Sequence, residues 1–506
     1  MNVKKRYVAL LMVVSMFLGA AATYAGVQLA EFRSDVADKS ADNGSVTQNG
    51  ESPTDTDDPV EEGPQEGGLE DLLPSEEFSK ILQAYSLISE EFVHDMDSTD
   101  LVEGAIEGMV EKLEDPYSVY MDKETMEQFA DSIGSSFEGI GAEVSMVEGK
   151  VTIVAPFKES PAEKAGLKPN DQIISVDGES LEGLNLFDAV NKIRGEKGTT
   201  VTLEVLRAGV SEPLEIDVVR DEIPIETVYS EIKEVDGKKA GVIEITSFSE
   251  KTAQEFSTQL KELEDQGIEG LVIDVRGNPG GLFTTVQDIV QHFITNEMPY
   301  VQIEDRNGKV DKYFSKNSKP KDYPVNILIN EGSASASEIL AAAFREAGNF
   351  ELIGTTSFGK GTVQQTIPLG DDGSTLKLTL FKWLTPEGNW IHEKGVEPTI
   401  KVEQPEYFYS NPIPKDEVVN EQSSEDKVKN VQIMLKGIGF TPGNTDGEFD
   451  NGTKKAIEDF QRDQGLDVTG EVNKETAVKL EDTIVEMARD PKNDLQMKKA
   501  LEVLFQ

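Results

Sequence analysis

Leu271-Val-Ile-Asp-Val275 runs directly into the turn Arg276-Gly-Asn-Pro-Gly-Gly281, and Thr285–Phe293 follows with apolar residues at helical spacing. A short apolar run closed by glycine and proline reads as a buried strand, then a tight turn, then a helix. The pattern returns at Val325-Asn-Ile-Leu-Ile329, which ends in a polar loop before a helix over Ala336–Ala347, with Gly348 placed to cap it. Strands alternating with helices from Val228 to Val402 predict an α/β core.

Working outward, the chain has 506 residues, enough for about three domains. Its 48 Lys+Arg against 95 Asp+Glu give a formal charge of −47. Such a field repels phosphate backbones and excludes general nucleic-acid binding. The absence of cysteine removes disulfides, thiol nucleophiles and zinc-thiolate sites. Only His94, His292 and His392 supply imidazole, which argues against a His-rich metal site. No metal or cofactor is expected.

Residues 1–33 carry a basic flank, Lys4, Lys5 and Arg6, followed by 23 uncharged residues from Val8 to Ala30. As a helix this segment is about 34 Å long, enough to cross a bilayer core with the basic side inside and the body exported. The small residues through Ala20–Ala25 also fit a removable signal peptide. Residues 34–74 are polar and acidic and read as a disordered tether. Residues 75–124 read as a helical region, with Phe78, Ile81, Leu82, Tyr85 and Ile88 on one stripe and a second helix over Leu101–Leu113. That stripe fits an internal core or a homodimer seam. Residues 403–425 read as a linker and 481–500 as a C-terminal helix. The last six residues, Leu-Glu-Val-Leu-Phe-Gln (501–506), match what a viral 3C-type protease leaves behind, and are set apart from the fold as a cloning remnant.

Residues 125–222 are β-rich. Ser160-Pro-Ala-Glu-Lys-Ala-Gly-Leu-Lys-Pro-Asn-Asp-Gln-Ile-Ile-Ser-Val-Asp-Gly178 resembles the heart of PDZ domains, with Phe137-Glu-Gly-Ile-Gly-Ala-Glu-Val144 ahead of it. Gly139 and Gly141 allow a turn whose N–H groups converge on a peptide carboxylate while the peptide adds as a strand. Gly139, Ile140, Gly141 and Val144 are therefore the candidate peptide-binding residues. An ordinary hairpin is the bland alternative. Phe187–Arg194 reads as the helix lining the groove, and Arg194 at its end is placed either to sense a carboxylate or simply to be solvated. Residues 426–480 show Val428, Val431, Leu435, Phe449, Ala456, Phe460 and Leu480 between glycine turns. This spacing fits three short helices and resembles the bacterial peptidoglycan-binding domain.

The chemistry lies in 223–402. In Asn330-Glu-Gly-Ser-Ala-Ser-Ala-Ser-Glu338 a serine projects from a sharp turn at a helix N-terminus, where free N–H groups stabilise an oxyanion. Serines also cap helices, and Ser333 or Ser337 fits that simpler role. In Gly354-Thr-Thr-Ser-Phe-Gly-Lys-Gly-Thr-Val-Gln-Gln365, Lys360 sits between glycines ahead of a strand-like stretch. In a strand, positions 360, 362 and 364 share a face, so Gln364 can reach the amine or the serine. With imidazole scarce, lysine is the available base. About one free lysine in 2,500 is neutral at pH 7, so burial must lower its pKa to roughly 7–8. The Gly280-Gly281 turn offers N–H groups that complete an oxyanion hole with that of Ala336.

These pieces, in this order behind a PDZ-like domain, resemble the carboxyl-terminal processing protease family (tail-specific serine peptidases) from about Ser75 to Val402. The resemblance implies that Ser335 is the nucleophile and Lys360, 25 residues on, the base. It implies that Gln364 orients the lysine, that Gly281 and Ala336 donate to the oxyanion, and that the PDZ domain binds substrate tails or gates the site. The anchor and the wall-binding module resemble Gram-positive variants. The expected architecture is a multidomain α+β and α/β chain: a helical arm, a PDZ domain, an α/β Ser-Lys core and a C-terminal three-helix bundle.

Two decoys fail. Gly354-x-x-x-x-Gly359-Lys360 nearly spells a P-loop, but Gly361 replaces the Mg²⁺-binding Ser/Thr and a strand rather than a helix follows. Ser357-Phe-Gly-Lys360 matches S-x-x-K, which belongs on a helix that these glycines oppose. The serious rival is non-catalytic: an anchored wall-binding scaffold that captures protein tails.

Overall fold

The computed structural model describes residues 76–506 except Glu148, Lys158, Asn185, Ala208, Gly209, Ser211 and Asp416. The expected anchor (1–33) and tether (34–74) lie outside the described residues. Among the described residues no helix is long and apolar enough to cross a membrane. Contacts divide the chain into two units.

One unit holds residues up to Ile133, with Leu282–Thr284 and Thr362–Phe381. Its helices are Glu76–Glu91, Ser98–Glu111 and Lys123–Ile133. Asp97 starts the second by accepting from the Thr99 N–H at 2.7 Å. That helix has no buried residue, and Leu82 and Met109 are 55% and 57% exposed. Among the described residues, then, the stripe on the two arm helices is left open. The strand Val119–Met121 pairs antiparallel with Thr375–Lys377, and Met121, Phe129 and Leu282 pack into a small core.

Lys377 is 2% exposed, its Nζ 5.1 Å from the centre of the Phe129 ring. Burial depresses its amine to about 8, with Asp115 opposing. Between about pH 8 and 10.5 the unfolded chain thus binds the extra proton, so this lysine makes stability rise with pH across that window. Integrated, the effect is about 3 kcal/mol at most. Denaturant unfolding at pH 8 and pH 10.5 is expected to show this gain in the wild type and its loss in Lys377→Met. Equal pH slopes in the two proteins would contradict it.

The other unit contains Gly134–Gly281, Thr285–Gly361 and Lys382–Gln506. Ser136–Gly139 pairs antiparallel with Asp221–Pro224 at the base of the PDZ domain. Its sheet runs in the order Ala142–Val147, Lys150–Pro156, Gln172–Val176, Thr200–Leu206, Leu214–Val219. The strand Thr200–Leu206 alternates buried and half-exposed residues, putting Val201, Leu203 and Val205 into the core with Ile153, Ile173 and Ala189. Arg207 clamps the buried Asp171 through Nε and Nη2 at 2.8 and 2.6 Å, which holds that carboxyl below the usual range despite burial.

The α/β core is a sheet in the order Val228–Val235, Lys238–Ile245, Gly270–Asp274, Val325–Ile329, Glu351–Gly354, Ile400–Lys401. Only the first pair is antiparallel; the remaining pairings are parallel. Every residue of Gly270–Asp274 and of Val325–Ile329 is buried, as parallel strands covered on both faces require. Phe283–Val290 is helical where Thr285–Phe293 was expected. Ala336–Ala342 continues as one wide π turn, Ala343–Ala347. Gly348 does not take the left-handed cap. Its φ is −93°, and Asn349 has φ 55° instead. Glycine is needed at 348 for space, because a Cβ there would lie 2.6 Å from the Phe350 ring.

The C-terminal helices Glu425–Gly437, Asn451–Asp463 and Lys474–Arg489 bury Val428, Val431, Leu435, Phe460 and Leu480. Asp450 and Asn473 cap the second and third through the N–H groups of Thr453 and Thr476 at 2.7 and 2.9 Å. Gln432 and Gln461 are fully buried, and each receives a glycine N–H, that of Gly447 or Gly470.

Three boundary expectations need correction. The segment 403–425 is not a free linker: Tyr407, Ile413 and Val419 belong to the bundle core. The segment 481–500 is not one helix, because Lys474–Arg489 ends and a separate helix runs Leu495–Val503. Residues 501–506 are part of the fold. Leu504 is 3% exposed against Ala240, Val242, Val272, Leu328 and Ile353, and a Cβ on Gly270 would come within 2.9 Å of it. Leu504→Ala should cost about 2–5 kcal/mol, read as a lower denaturant midpoint. An unchanged midpoint would return these residues to the status of an appendage.

Candidate active site

Three neighbouring parallel strands deliver the three pieces. Gly270–Asp274 leads to the Gly280-Gly281 turn, Val325–Ile329 to Ser335, and Glu351–Gly354 to Lys360. The carboxyl ends of parallel strands are where open α/β sheets bind ligands, and adjacent strands are only about 4.8 Å apart.

Ser335 stands at the N-cap of Ala336–Ala342 with φ 52° and ψ −110°. A non-glycine residue there costs of order 1–3 kcal/mol and persists only when its surroundings fix it. The fixing groups are visible. Ser333 is fully buried, and its hydroxyl donates to the Val275 carbonyl at 2.7 Å. The Ser337 hydroxyl donates to the Asn278 carbonyl at 2.9 Å. The two flanking serines thus brace the loop, and Ser335, 7% exposed, is left at its apex.

The glycine turn lies directly against Ser335. A Cβ on Gly280, at φ 104°, would sit 2.9 Å from the Ser335 Cβ and 3.0 Å from the Ala336 nitrogen. A Cβ on Gly281, at φ 144°, would sit 2.2 Å from the Phe248 carbonyl oxygen. Asn278, fully buried, organises the turn. Its Nδ2 donates to the Ile245 carbonyl at 2.7 Å, and its Oδ1 accepts the Gly280 N–H at 2.8 Å.

Lys360 is 1% exposed. Its N–H donates to Glu338 Oε2 at 2.8 Å, and its carbonyl accepts the Trp383 indole N–H at 2.7 Å. The next peptide is held the same way: the Gly361 carbonyl accepts from Trp390 Nε1 at 2.8 Å, and its N–H donates to His392 Nδ1 at 3.3 Å. Phe358 N–H reaches the Ser333 carbonyl at 3.0 Å, tying the lysine loop to the serine loop.

Glu338 joins both loops. Fully buried, it accepts from Ser335 N–H at 2.9 Å and Lys360 N–H at 2.8 Å on Oε2, and from Ser357 hydroxyl and Gly359 N–H at 2.6 Å each on Oε1. Burial pushes its carboxyl up, and these hydrogen bonds pull against that rise. Neither Glu338 nor Asn278 was assigned a role from the sequence. The available signal for Glu338 was the S-x-x-E spacing from Ser335, which marks a capping box.

Gln364 lies in the other unit. It is 3% exposed and donates to Thr362 Oγ1 at 3.1 Å and Thr379 Oγ1 at 2.9 Å. His292 packs beside the rings of Phe256 and Phe293, which also touch each other, and burial lowers its pKa. In the PDZ domain, Gly139 ends its strand and Ile140 is 4% exposed, its carbonyl accepting from Ala162 N–H at 2.8 Å. Gly141 has φ 72°, and a Cβ there would meet Ser160 Cβ at 2.6 Å. Val144 pairs with Ile153 across the sheet and packs on its core. Arg194 follows the helix Leu186–Ile193, and its guanidinium lies 5.0 Å from the centre of the Phe137 ring.

Along its length the chain matches the N-terminal domain of the activating protease CtpB (16–125), the PDZ domain (139–218), peptidase family S41 (239–402) and the peptidoglycan-binding domain (424–480). The carboxy-terminal processing protease CtpB of Bacillus subtilis strain 168 is 54% identical over 426 residues, 84% of this chain and 88% of that protein. The CtpA protein of the same organism is 43% identical, over 84% and 90%. Among solved structures, the photosystem II D1 C-terminal processing protease is 26% identical and covers 65% of this chain and 94% of its own, with a TM-score of 0.40. The peptide-bound PDZ domain of a Vibrio cholerae carboxy-terminal protease is 35% identical and covers 18% and 99%, with a TM-score of 0.17. With identity of this order across most of the sequence, the chain belongs to peptidase family S41 and is a serine peptidase of the carboxy-terminal processing kind, carrying a PDZ domain and a peptidoglycan-binding domain.

Proposed function

We propose that this peptidase cleaves exported proteins from their C-terminal tails with Ser335 as nucleophile and Lys360 as base. The observation that carries the reading is the delivery of both residues from adjacent parallel strands, with both backbone amides bonded to the single carboxylate oxygen Glu338 Oε2. In this reading the buried Lys360 acts in its neutral form and takes the Ser335 proton. Ser335 Oγ attacks the scissile carbonyl carbon. The N–H groups of Gly281 and Ala336 receive the oxyanion; the Gly280 N–H is already taken by Asn278. The Lys360 ammonium returns the proton to the leaving amine, and water then releases the acyl-enzyme. The family resemblance gives Gln364 the orienting role.

The substrate's terminal carboxylate occupies the turn Gly139-Ile140-Gly141, its chain adding beside Val144, and Arg194 reads the carboxylate. Arg194→Ala with undiminished cleavage of tailed substrates would remove that role. Residues 8–30 hold the protein in the membrane with the body outside, and 426–480 binds the cell wall. The open apolar stripe of the arm helices, with Leu82 and Met109 exposed, pairs with the same stripe of a second copy.

The test is incubation of the protein and its Ser335→Ala variant with a membrane-protein extract, followed by sequencing of new C-termini. New termini with the wild type only are the expected result. Equal termini with both proteins, or none with either while tailed peptides still bind, would favour a non-catalytic scaffold.

A further inference from the structure

We infer that Glu338 is the positioning residue that sets Ser335 and Lys360 in register; the inference rests on the Ser335–Lys360 reading above. A helix cap needs only the first of its contacts, the Ser335 N–H three residues back. The others reach forward to Ser357, Gly359 and Lys360, 19 to 22 residues downstream. Among the described residues these donors are three neutral amides and a hydroxyl. A carboxylate buried with neutral donors alone is expensive, and an apolar replacement would leave all of them unpaired.

The geometry says what that cost secures. Oε2 holds the amides of Ser335 and Lys360 at 2.9 and 2.8 Å, so the two nitrogens are at most about 6 Å apart. The opposite side of each residue is also held. The Ser335 carbonyl accepts from the N–H groups of Glu338 and Ile339, both at 2.9 Å, and the Lys360 carbonyl accepts from Trp383. Fixing N–H and C=O fixes the direction in which each side chain leaves the backbone. Glu338 never touches substrate; it acts through the two residues that do.

The test uses the full chain with Glu338→Gln, which turns one oxygen into a donor facing donors. The expected result is a fall in kcat of about 100-fold with KM and tail-peptide affinity within about threefold of wild type. Amide hydrogen exchange should accelerate in both the Ser335 and the Lys360 segments. Ser357→Ala is the milder companion, removing one donor from the far oxygen. It should lower kcat about tenfold, and the double variant should be no worse than Glu338→Gln. A folded Glu338→Gln with kcat within fivefold of wild type, or with unchanged exchange at both segments, overturns the assignment. Cleavage retained by Ser335→Ala would instead remove the nucleophile reading, while the exchange comparison still decides Glu338.

Discussion

Lys360→Ala is expected to lower kcat for a tailed peptide by at least about 10³-fold, the upper part of the range for loss of a general base. The peptide's affinity should stay unchanged, because the Gly139–Gly141 turn is built from other strands. The fold should survive. The backbone hydrogen bonds that hold position 360, from its N–H to Glu338 and to its carbonyl from Trp383, do not involve the side chain that is removed. Lys360→Arg should be nearly as inactive, since guanidinium keeps its proton at any working pH. Substantial turnover by either variant would mean that the serine finds its base elsewhere. His292 would then be the first replacement to make, although its ring packs against those of Phe256 and Phe293.

Gly280→Ala is expected to cost about 100-fold or more in kcat by displacing the nucleophile without touching it chemically. The new Cβ would lie 2.7 Å from the Ala334 carbonyl oxygen, 2.9 Å from the Ser335 Cβ and 3.0 Å from the Ala336 nitrogen. None of these is the free end of a flexible side chain, so the turn and the serine loop must move apart. The φ of 104° adds strain that only glycine escapes. A shift of 1 Å in reacting groups is enough for a 100-fold loss. The melting temperature should fall by several degrees while PDZ-peptide binding persists. Activity within fivefold of wild type would show that the turn does not border the reacting atoms.

The parts of this molecule that were legible from sequence are those in which local pattern and local structure coincide. Val325–Ile329 is a strand at the bounds expected, because a short run apolar but for Asn326, between a proline and a polar loop, has few other outcomes. The glycine turn, the serine loop and the FGKG segment were readable for the same reason: each is a short strand-end motif. What remained hidden depends on partners far along the chain. Glu338 gains its second set of contacts 19 or more residues away, and Trp383 reaches Lys360 across 23. Neither connection leaves a spacing to detect. Tyr407, Ile413 and Val419 looked like linker because proline and acidic residues surround them; only the bundle that they help to close shows them as core. Leu504 was misjudged because the six-residue match outweighed its apolar helical spacing from Ala500, which is also buried.

The most direct measurement is peptide mapping by mass spectrometry after reaction with a fluorophosphonate, run in parallel on the wild type, Ser335→Ala and Lys360→Ala. A single adduct on Ser335 in the wild type, lost in both variants, is the predicted result. An adduct on another residue, or labelling of Ser335 at the same rate without Lys360, would contradict the lysine-activated serine on which the mechanism stands.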